Sequence, residues 1–193
     1  MPRIASVAVF CGSRLGLSPV YRAAAEALGT ALAQAQIRLV YGGGQVGLMG
    51  AMADAAIAAG GEVVGIIPEF LLRSEVAHAG VTRLIVTDSM HARKQQMFDA
   101  ADAFVSFAGG LGTLDETFEI LTWRQLGLHD KAILICDICG SAAPLLTLID
   151  TVVDAGFAHS SIRDLYEVTS SVPDAVTRLT RMAKATGGEA ALL

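Results

Sequence analysis

Short apolar segments alternate with longer, alanine-rich amphipathic segments along almost the whole chain. The first six apolar segments are continuous rather than alternating, which is typical of parallel strands covered on both faces. A weaker seventh segment follows near the end of the chain. The order strand, helix, strand, helix predicts a Rossmann-like, doubly wound α/β fold with a mainly parallel sheet of six to seven strands and helices on both faces. The predicted strands are Ile4–Phe10, Ile37–Tyr41, Glu62–Ile67, Arg83–Thr87, Ala103–Phe107, Lys131–Cys136 and Leu165–Thr169.

No internal repeat, low-complexity stretch or linker interrupts this alternation. We therefore predict a single domain over residues 1–184, followed by a frayed tail at residues 185–193. The longest connection between predicted elements is Pro68–Thr82, and loops of that length often carry function. In a doubly wound sheet, ligands bind beyond the carboxyl ends of the strands. The residues that follow each strand are therefore the candidates for chemistry.

Composition narrows the class of protein. The 193-residue chain is 53% hydrophobic and 17% charged, which excludes a disordered chain. A net charge of −5 and the lack of a basic stripe with interleaved aromatics argue against a nucleic-acid partner. The sequence contains no run of about 20 uncharged apolar residues, which a membrane-spanning helix would need. Ile4–Cys11 is too short for a secretory signal, so we expect a cytoplasmic protein.

The three cysteines are too few for a disulfide framework. Cys136 and Cys139 form a C-x-x-C pair, but a redox pair of that kind stands at a helix N-terminus. Here the pair ends an apolar, strand-like run. We interpret both as ordinary buried cysteines rather than as a redox or metal site.

The segment Tyr41–Gly50 is rich in glycine and follows the second predicted strand. Its glycine spacing fits the G-x-G-x-x-G dinucleotide fingerprint, and Glu69 lies near the spacing of the acid that would hold a ribose hydroxyl. An NAD(P)-dependent oxidoreductase is therefore one candidate function. We expect Gly43 and Gly44 to contact a ligand closely, with a purely structural turn as the alternative.

Two further strand ends carry glycine. Gly12 and Ser13 follow the first strand, where a ligand can approach the backbone closely, although an ordinary turn is also consistent. Phe107–Glu116 places glycines at the start of a helix, where unpaired N–H groups and the helix dipole favour an anion. The spacing of Thr113 and Glu116 also fits a capping box. Glu116 is therefore either a helix cap or a participant in the chemistry.

A predicted helix beginning after Asp88 or Ser89 carries two cations in its first turn, Arg93 and Lys94. Cations at a helix N-terminus cost about 0.3–1 kcal/mol each. Arg93 also lies on the same helix face as Met97, which is the apolar face. This placement favours an anion or carboxylate partner inside a site, with a solvated charge pair as the alternative.

Together these motifs resemble the Lonely Guy (LOG) family of cytokinin riboside 5′-monophosphate phosphoribohydrolases. The resemblance is carried in chain order over nearly the whole sequence, from about Val7 to Arg178. The segments that carry it are Tyr41–Gly50, Met90–Lys94 and Gly109–Glu116, supported by Val9–Ser13, Val64–Pro68 and Leu121–Lys131.

The resemblance implies hydrolysis of the N-glycosidic bond of adenosine 5′-monophosphates, which releases the free base and ribose 5-phosphate. It implies a small-molecule nucleotide substrate, AMP or prenylated AMP, and neither a cofactor nor a metal ion. The catalytic pair that it implies is Arg93 and Glu116. The substrate-binding residues that it implies are Met90, Lys94, Gly109, Gly110, Gly112, Thr113 and Glu75.

Three further expectations follow from the resemblance. The family usually has proline where this chain has Ala108, so phosphate affinity is the property that this change is most expected to affect. Related folds include molybdenum-cofactor proteins, which makes a non-catalytic nucleotide or cofactor carrier an alternative function. Apolar helix faces such as Leu114–Leu126 predict a homodimer, as the resemblance also implies.

Members of the family have often been labelled lysine decarboxylases. The chain has three lysines, Lys94, Lys131 and Lys184, and nothing in the sequence marks any of them as a Schiff-base lysine with pyridoxal-phosphate partners.

Overall fold

The computed structural model describes residues 3–72 and 76–182. Over these residues the chain forms one seven-stranded sheet in which every strand pairing is parallel. The predicted fold class is therefore confirmed, and the strands begin and end within a few residues of their predicted bounds. The strands are β1 (Ser6–Phe10), β2 (Arg38–Tyr41), β3 (Val63–Pro68), β4 (Arg83–Thr87), β5 (Ala103–Ser106), β6 (Ala132–Cys136) and β7 (Glu167–Thr169).

Helices cover both faces of the sheet. Alternate residues of each strand point to opposite faces, so Val7 and Val9 belong to one hydrophobic core while Ala8 and Phe10 belong to the other. Short 3₁₀ segments at Glu69–Leu71 and Ser160–Leu165 complete the elements. The helices are α1 (Pro19–Gln34), α2 (Gly47–Ala58), α3 (Met90–Ala100), α4 (Leu111–Gln125), α5 (Ala143–Asp154) and α6 (Val172–Arg181).

The strand order β4-β3-β2-β1-β5-β6-β7 determines where a ligand can bind. The chain builds outward from β1 to β4 on one side, then returns to place β5 on the other side of β1. The connections after β1 and after β5 therefore diverge, and a crevice forms between them at the carboxyl ends of these two strands.

The expectation that six strands are covered on both faces is wrong for β4. This strand lies at the edge of the sheet, and its Leu84 and Val86 are 36% and 50% exposed, so one face of β4 is left partly uncovered. The expectation that both cysteines of the C-x-x-C pair are buried is confirmed for Cys136 and is wrong for Cys139, which is exposed; all three thiols are free. Side chains of Ser18, Ser89 and Ser171 cap α1, α3 and α6.

The predicted tail at residues 185–193 lies outside the described residues. Within the described residues, none of the helices combines the length and the apolar character that crossing a membrane requires.

Candidate active site

A cavity of about 820 Å³ opens at the carboxyl ends of β1 and β5, at the switch point of the sheet. Its walls come from the loops after β1, β2 and β5 and from the first turns of α3 and α4. Most of the residues predicted from the sequence line it together. They are Gly12, Ser13, Met90, Arg93, Lys94, Gly109, Gly110, Gly112, Thr113 and Glu116.

Two predicted residues, Gly43 and Gly44, do not line this cavity. The Gly43 carbonyl accepts the His78 N–H at 3.0 Å, and Gly44 forms a β-bridge with Ala77. Their turn therefore packs against the long loop rather than facing a ligand. Gly42, one residue earlier, lines the cavity in their place.

Glu75, which the resemblance places in the long loop, lies outside the described residues. Leu71, at the start of the same loop, does line the cavity. Glu69, the candidate ribose-binding acid of the dinucleotide interpretation, is exposed and is not part of the lining.

The N-terminus of α2 is occupied by the protein's own backbone. The Leu48 and Met49 N–H groups both point at the Gly12 carbonyl, at 3.0 and 3.3 Å. A dinucleotide fingerprint would place a pyrophosphate at this helix end. Because the Gly12 carbonyl takes these donors, the geometry does not support an NAD(P) site on the glycines of this loop.

The N-terminus of α4 is open to the cavity instead. The helix begins at Leu111 with Gly110 as its N-cap, and no side chain caps it. A Cβ atom on Gly110 or Gly112 would meet nothing within 4 Å, so a ligand can reach the backbone here. The first N–H groups of a helix lack intrahelical partners and attract anions. This helix end is the candidate phosphate cradle.

The capping-box interpretation of Glu116 is wrong. Because Gly110 is the N-cap, Thr113 is the third helical residue and Glu116 the sixth, beyond the first turn. Thr113 is buried, and its carbonyl accepts the Thr117 hydroxyl at 2.6 Å. Glu116 is half-buried and lines the cavity one turn from the candidate cradle.

Arg93 is a buried cation in the cavity wall. It is 5% exposed and lies on the face of α3 that also buries Met97, as its spacing predicts. Its Nη1 donates to the Met90 sulfur at 3.8 Å, but its Nε–H has no hydrogen-bond partner in the described part of the chain. An unsatisfied buried charge is costly. The arrangement therefore points to an anionic ligand beside Arg93.

Gly42 makes room for this guanidinium. A Cβ atom at position 42 would overlap Nη2 of Arg93 and would lie 3.0 Å from the sulfur of Met49. The glycine at the end of β2 thus seats the arginine. This function of Gly42 was not predicted from the sequence, although its place directly after a strand was a usable signal.

Lys94 has the carboxylate partners that its unfavourable helix position predicts. Its Nζ lies 2.9 Å from Asp115 Oδ2 and 3.2 Å from Glu119 Oε1. Burial disfavours the ammonium, but the hydrogen bonds to both carboxylates outweigh burial, and the pKa of Lys94 rises above its ordinary value. These contacts tie α3 to α4 beside the cavity.

Cys11 lies at the end of β1 in the cavity wall, within electrostatic reach of both Arg93 and Glu116. Burial raises the pKa of the Cys11 thiol, the Glu116 carboxylate raises it further, and the Arg93 guanidinium opposes them. The buried thiol is therefore neutral, and two opposite charges face it from α3 and α4. Cys11, Arg14 and Asp115 are lining residues that sequence analysis did not assign to the site.

Fold and site together define a Rossmann-like α/β protein with a cavity at the switch point of its parallel sheet. A family model described as possible lysine decarboxylase matches residues 49–179. The chain belongs to this family, and the resemblance to LOG proteins is confirmed by relatives of that name.

One relative is the cytokinin riboside 5′-monophosphate phosphoribohydrolase of Rhodococcoides fascians, 42% identical over 92% of this chain and 90% of that protein. A second relative, the cytokinin riboside 5′-monophosphate phosphoribohydrolase LOG7 of Arabidopsis thaliana, is 40% identical over 92% of this chain and 82% of its own length. The probable enzyme LOGL2 of Oryza sativa subsp. japonica is 39% identical over 92% and 72%.

Solved structures of molybdenum-cofactor proteins share the fold. The molybdenum cofactor binding protein of Rippkaea orientalis has a TM-score of 0.67 at 21% identity, over 92% of this chain and 96% of that chain. The molybdenum cofactor carrier protein of Chlamydomonas reinhardtii has a TM-score of 0.68 at 22% identity, with the same two coverages. At this identity the likeness establishes the fold alone.

The two lysines that the structure describes, Lys94 and Lys131, do not fit a pyridoxal-phosphate enzyme, which the description of the family model would imply. A Schiff-base lysine needs a lowered pKa and a free amine. The Lys94 ammonium instead pairs with two carboxylates, and its pKa is raised. Lys131 is not part of the cavity lining; its Nζ donates to the Phe98 carbonyl at 2.7 Å. Lys184 lies outside the described residues.

Proposed function

We propose that this protein hydrolyses the N-glycosidic bond of adenosine 5′-monophosphates that carry substituents on N6, releasing the free base and ribose 5-phosphate. The names of relatives at about 40% identity over most of the chain support this reaction. One structural observation carries the proposal. The buried, incompletely paired Arg93 lines the same cavity as Glu116 and the glycine-lined start of α4.

The substrate's phosphate binds at the N-terminus of α4. Backbone N–H groups between Gly109 and Thr113, together with the helix dipole, hold it there. Gly12 keeps this loop closed, because its N–H donates to the carbonyl of Ala108 at 3.0 Å. We expect the loop to keep its shape with alanine at position 108, and fixing the phosphate places the ribose in one position. Met90 and Lys94 line the same space.

Glu116 acts on the sugar. As the C–N bond breaks, positive charge builds up on the ribose, as in glycosidase transition states. The Glu116 carboxylate stabilises this charge and accepts a proton from the water that attacks the anomeric carbon. The base leaves with the electron pair of the broken bond and takes up one proton, which balances the proton that Glu116 removes from water. Arg93 keeps Glu116 ionised and binds phosphate or sugar oxygens through its planar guanidinium.

The reaction is tested by incubating the purified protein with AMP and, separately, with N6-isopentenyl-AMP, and separating the free base by chromatography. Glu116→Gln should lower kcat about 100-fold or more, because the general base is lost. Glu62→Gln is the matched control, since Glu62 is exposed and pairs with Arg38 far from the cavity. A folded and fully active Glu116→Gln protein would remove the catalytic role of Glu116.

The same assay separates the alternatives. Tight nucleotide binding by wild-type protein without release of base indicates a carrier, and binding of NAD(P) with hydride transfer indicates an oxidoreductase. Comparing kcat/KM for the two nucleotides determines whether the prenyl group is required.

We further infer a cytoplasmic homodimer. The three free thiols support a reducing compartment. Leu111 begins α4, and Leu126 and Leu128 follow its end; they are 85%, 67% and 58% exposed, and large apolar side chains left exposed favour a protein interface. Light scattering at micromolar concentration should return twice the mass of 20.0 kDa. A monomeric mass would contradict the dimer.

A further inference from the structure

Arg14 is a cavity residue whose charge the mechanism above does not use. It lies in the loop between β1 and α1, two residues after Gly12, and it lines the cavity while remaining exposed. Within residues 3–72 and 76–182, its guanidinium has no carboxylate partner. An exposed arginine in a ligand cavity with no internal partner is available to an anion from outside.

The backbone that carries Arg14 is held in place. A Cβ atom on Gly47, the first residue of α2, would overlap the peptide between Ser13 and Arg14. On the other side, the Arg14 carbonyl lies 3.1 Å from the position of a Cβ atom on Gly12. The backbone on both sides of the Arg14 Cα atom is therefore packed against a glycine, so the fold determines the position from which the exposed side chain extends.

This loop is adjacent to the candidate phosphate cradle. Because β1 and β5 are paired, the loops that follow them touch at the carboxyl edge of the sheet. The Gly12 N–H donates to the Ala108 carbonyl at 3.0 Å, and a Cβ atom on Gly12 would lie 3.3 Å from the Cα of Gly109. Arg14 thus stands on the wall next to the start of α4.

The charge balance of the cavity gives the Arg14 guanidinium a function. Lys94 is paired with Asp115 and Glu119, so much of its charge is already compensated. Arg93 is buried in the wall near Glu116. A phosphate monoester carries about −1.5 to −2 charges at neutral pH, and it must enter a cavity that already contains carboxylates. A cation near the cradle offsets that repulsion.

We propose that Arg14 is a phosphate-binding residue, which completes the cradle at the start of α4 by donating a forked pair of hydrogen bonds to the 5′-phosphate. This inference rests on the proposed function, because it takes the nucleotide monophosphate as substrate. It makes Arg14 the residue that selects the 5′-monophosphate over the nucleoside, acting on binding rather than on bond cleavage.

Arg14→Gln should therefore raise KM for AMP about 10- to 100-fold with little change in kcat, because a charged hydrogen bond made equally in ground and transition states is lost. Inhibition by ribose 5-phosphate should weaken by the same factor, whereas inhibition by adenosine, which has no phosphate, should not change. Arg14→Lys should restore part of the affinity. Arg22→Gln, on α1 and paired with Glu26 at 2.8 Å, is the control and should match wild type.

Unchanged KM and unchanged inhibition by ribose 5-phosphate in Arg14→Gln would overturn the inference. Weakened inhibition by adenosine to the same extent would also overturn it, because it indicates general damage to the cavity. If wild-type protein releases no base, the proposed reaction fails, and calorimetry with ribose 5-phosphate still tests Arg14. Weaker binding by Arg14→Gln then supports the phosphate role, while equal binding, or no binding by wild type, refutes it.

Discussion

Replacing Gly42 by alanine is the most direct test of how the fold holds Arg93. A Cβ atom at position 42 would overlap Nη2 of Arg93, and it would lie 3.1 Å from Cζ of Arg93 and 3.0 Å from the Met49 sulfur. Gly42 does not adopt a positive φ, so alanine fits the backbone. Any loss of stability in Gly42→Ala therefore comes from the displacement of a buried guanidinium.

Two magnitudes follow from this collision. Overpacking a filled interior costs about 1–3 kcal/mol. For a chain of this size each kcal/mol lowers Tm by about 2–4 °C, so we expect Tm to fall by about 2–12 °C. A catalytic group moved by about 1 Å costs on the order of 100-fold in rate. Because Arg93 faces the same cavity as Glu116, kcat/KM for AMP should fall by that factor.

The assay combines thermal unfolding with measurement of base release, and a double-mutant cycle supplies the control. In an Arg93→Ala background the overlapping guanidinium is gone and only the contact with the Met49 sulfur remains, so Gly42→Ala should cost less than half as much stability as it does in the wild type. Equal destabilisation by Gly42→Ala in both backgrounds would refute the steric contact. Unchanged Tm and unchanged kcat/KM in the single variant would refute the placement of the guanidinium on Gly42.

Two further predictions concern stability. Burial lowers the pKa of His129, whose Nδ1 accepts the Lys131 N–H at 3.1 Å, so the unfolded chain binds a proton more readily. Stability should therefore decrease as pH falls below about 6.5, and thermal unfolding of His129→Gln between about pH 7.5 and pH 5.5 should show a smaller decrease than wild type. Asp102 accepts the Ala5 and Ser6 N–H groups at 2.9 and 3.1 Å. Asp102→Ala should cost about 2–4 kcal/mol in urea unfolding and leave KM for AMP unchanged, and a loss below about 0.5 kcal/mol would contradict this role.

The strands were predictable because each must bury apolar side chains on both faces, and a continuous apolar run records that requirement locally. β1 and β6 are examples, with every residue buried in β1 and all but the first in β6. The same rule failed for β4, because its place at the sheet edge is a property of the strand order and not of its own residues. Helix starts at Ser18 and Ser89 were predictable for a similar reason, since a capping side chain bonds within its own turn.

Some of the candidate site was also visible in the sequence. The position of Arg93 on an apolar face and near a helix N-terminus indicated a buried cation, and the structure shows that burial. The function of Glu116 remained open between cap and catalyst, because the spacing of Thr113 and Glu116 suits both. The structure decides against the cap, since α4 begins with Gly110.

Local patterns in the sequence were enough to predict the order of strands and helices along the chain, the fold class, and the chain segments that meet at the carboxyl edge of the sheet. Which glycine-rich helix end is available to an anion depends instead on contacts that form only in the folded protein. The Gly12 carbonyl fills the start of α2, whereas the start of α4 stays open. The difference lies in how far apart along the chain the interacting residues are. Burial patterns and caps are satisfied within a few residues, but a free donor or an unpaired arginine is defined by contacts between residues that are distant along the chain.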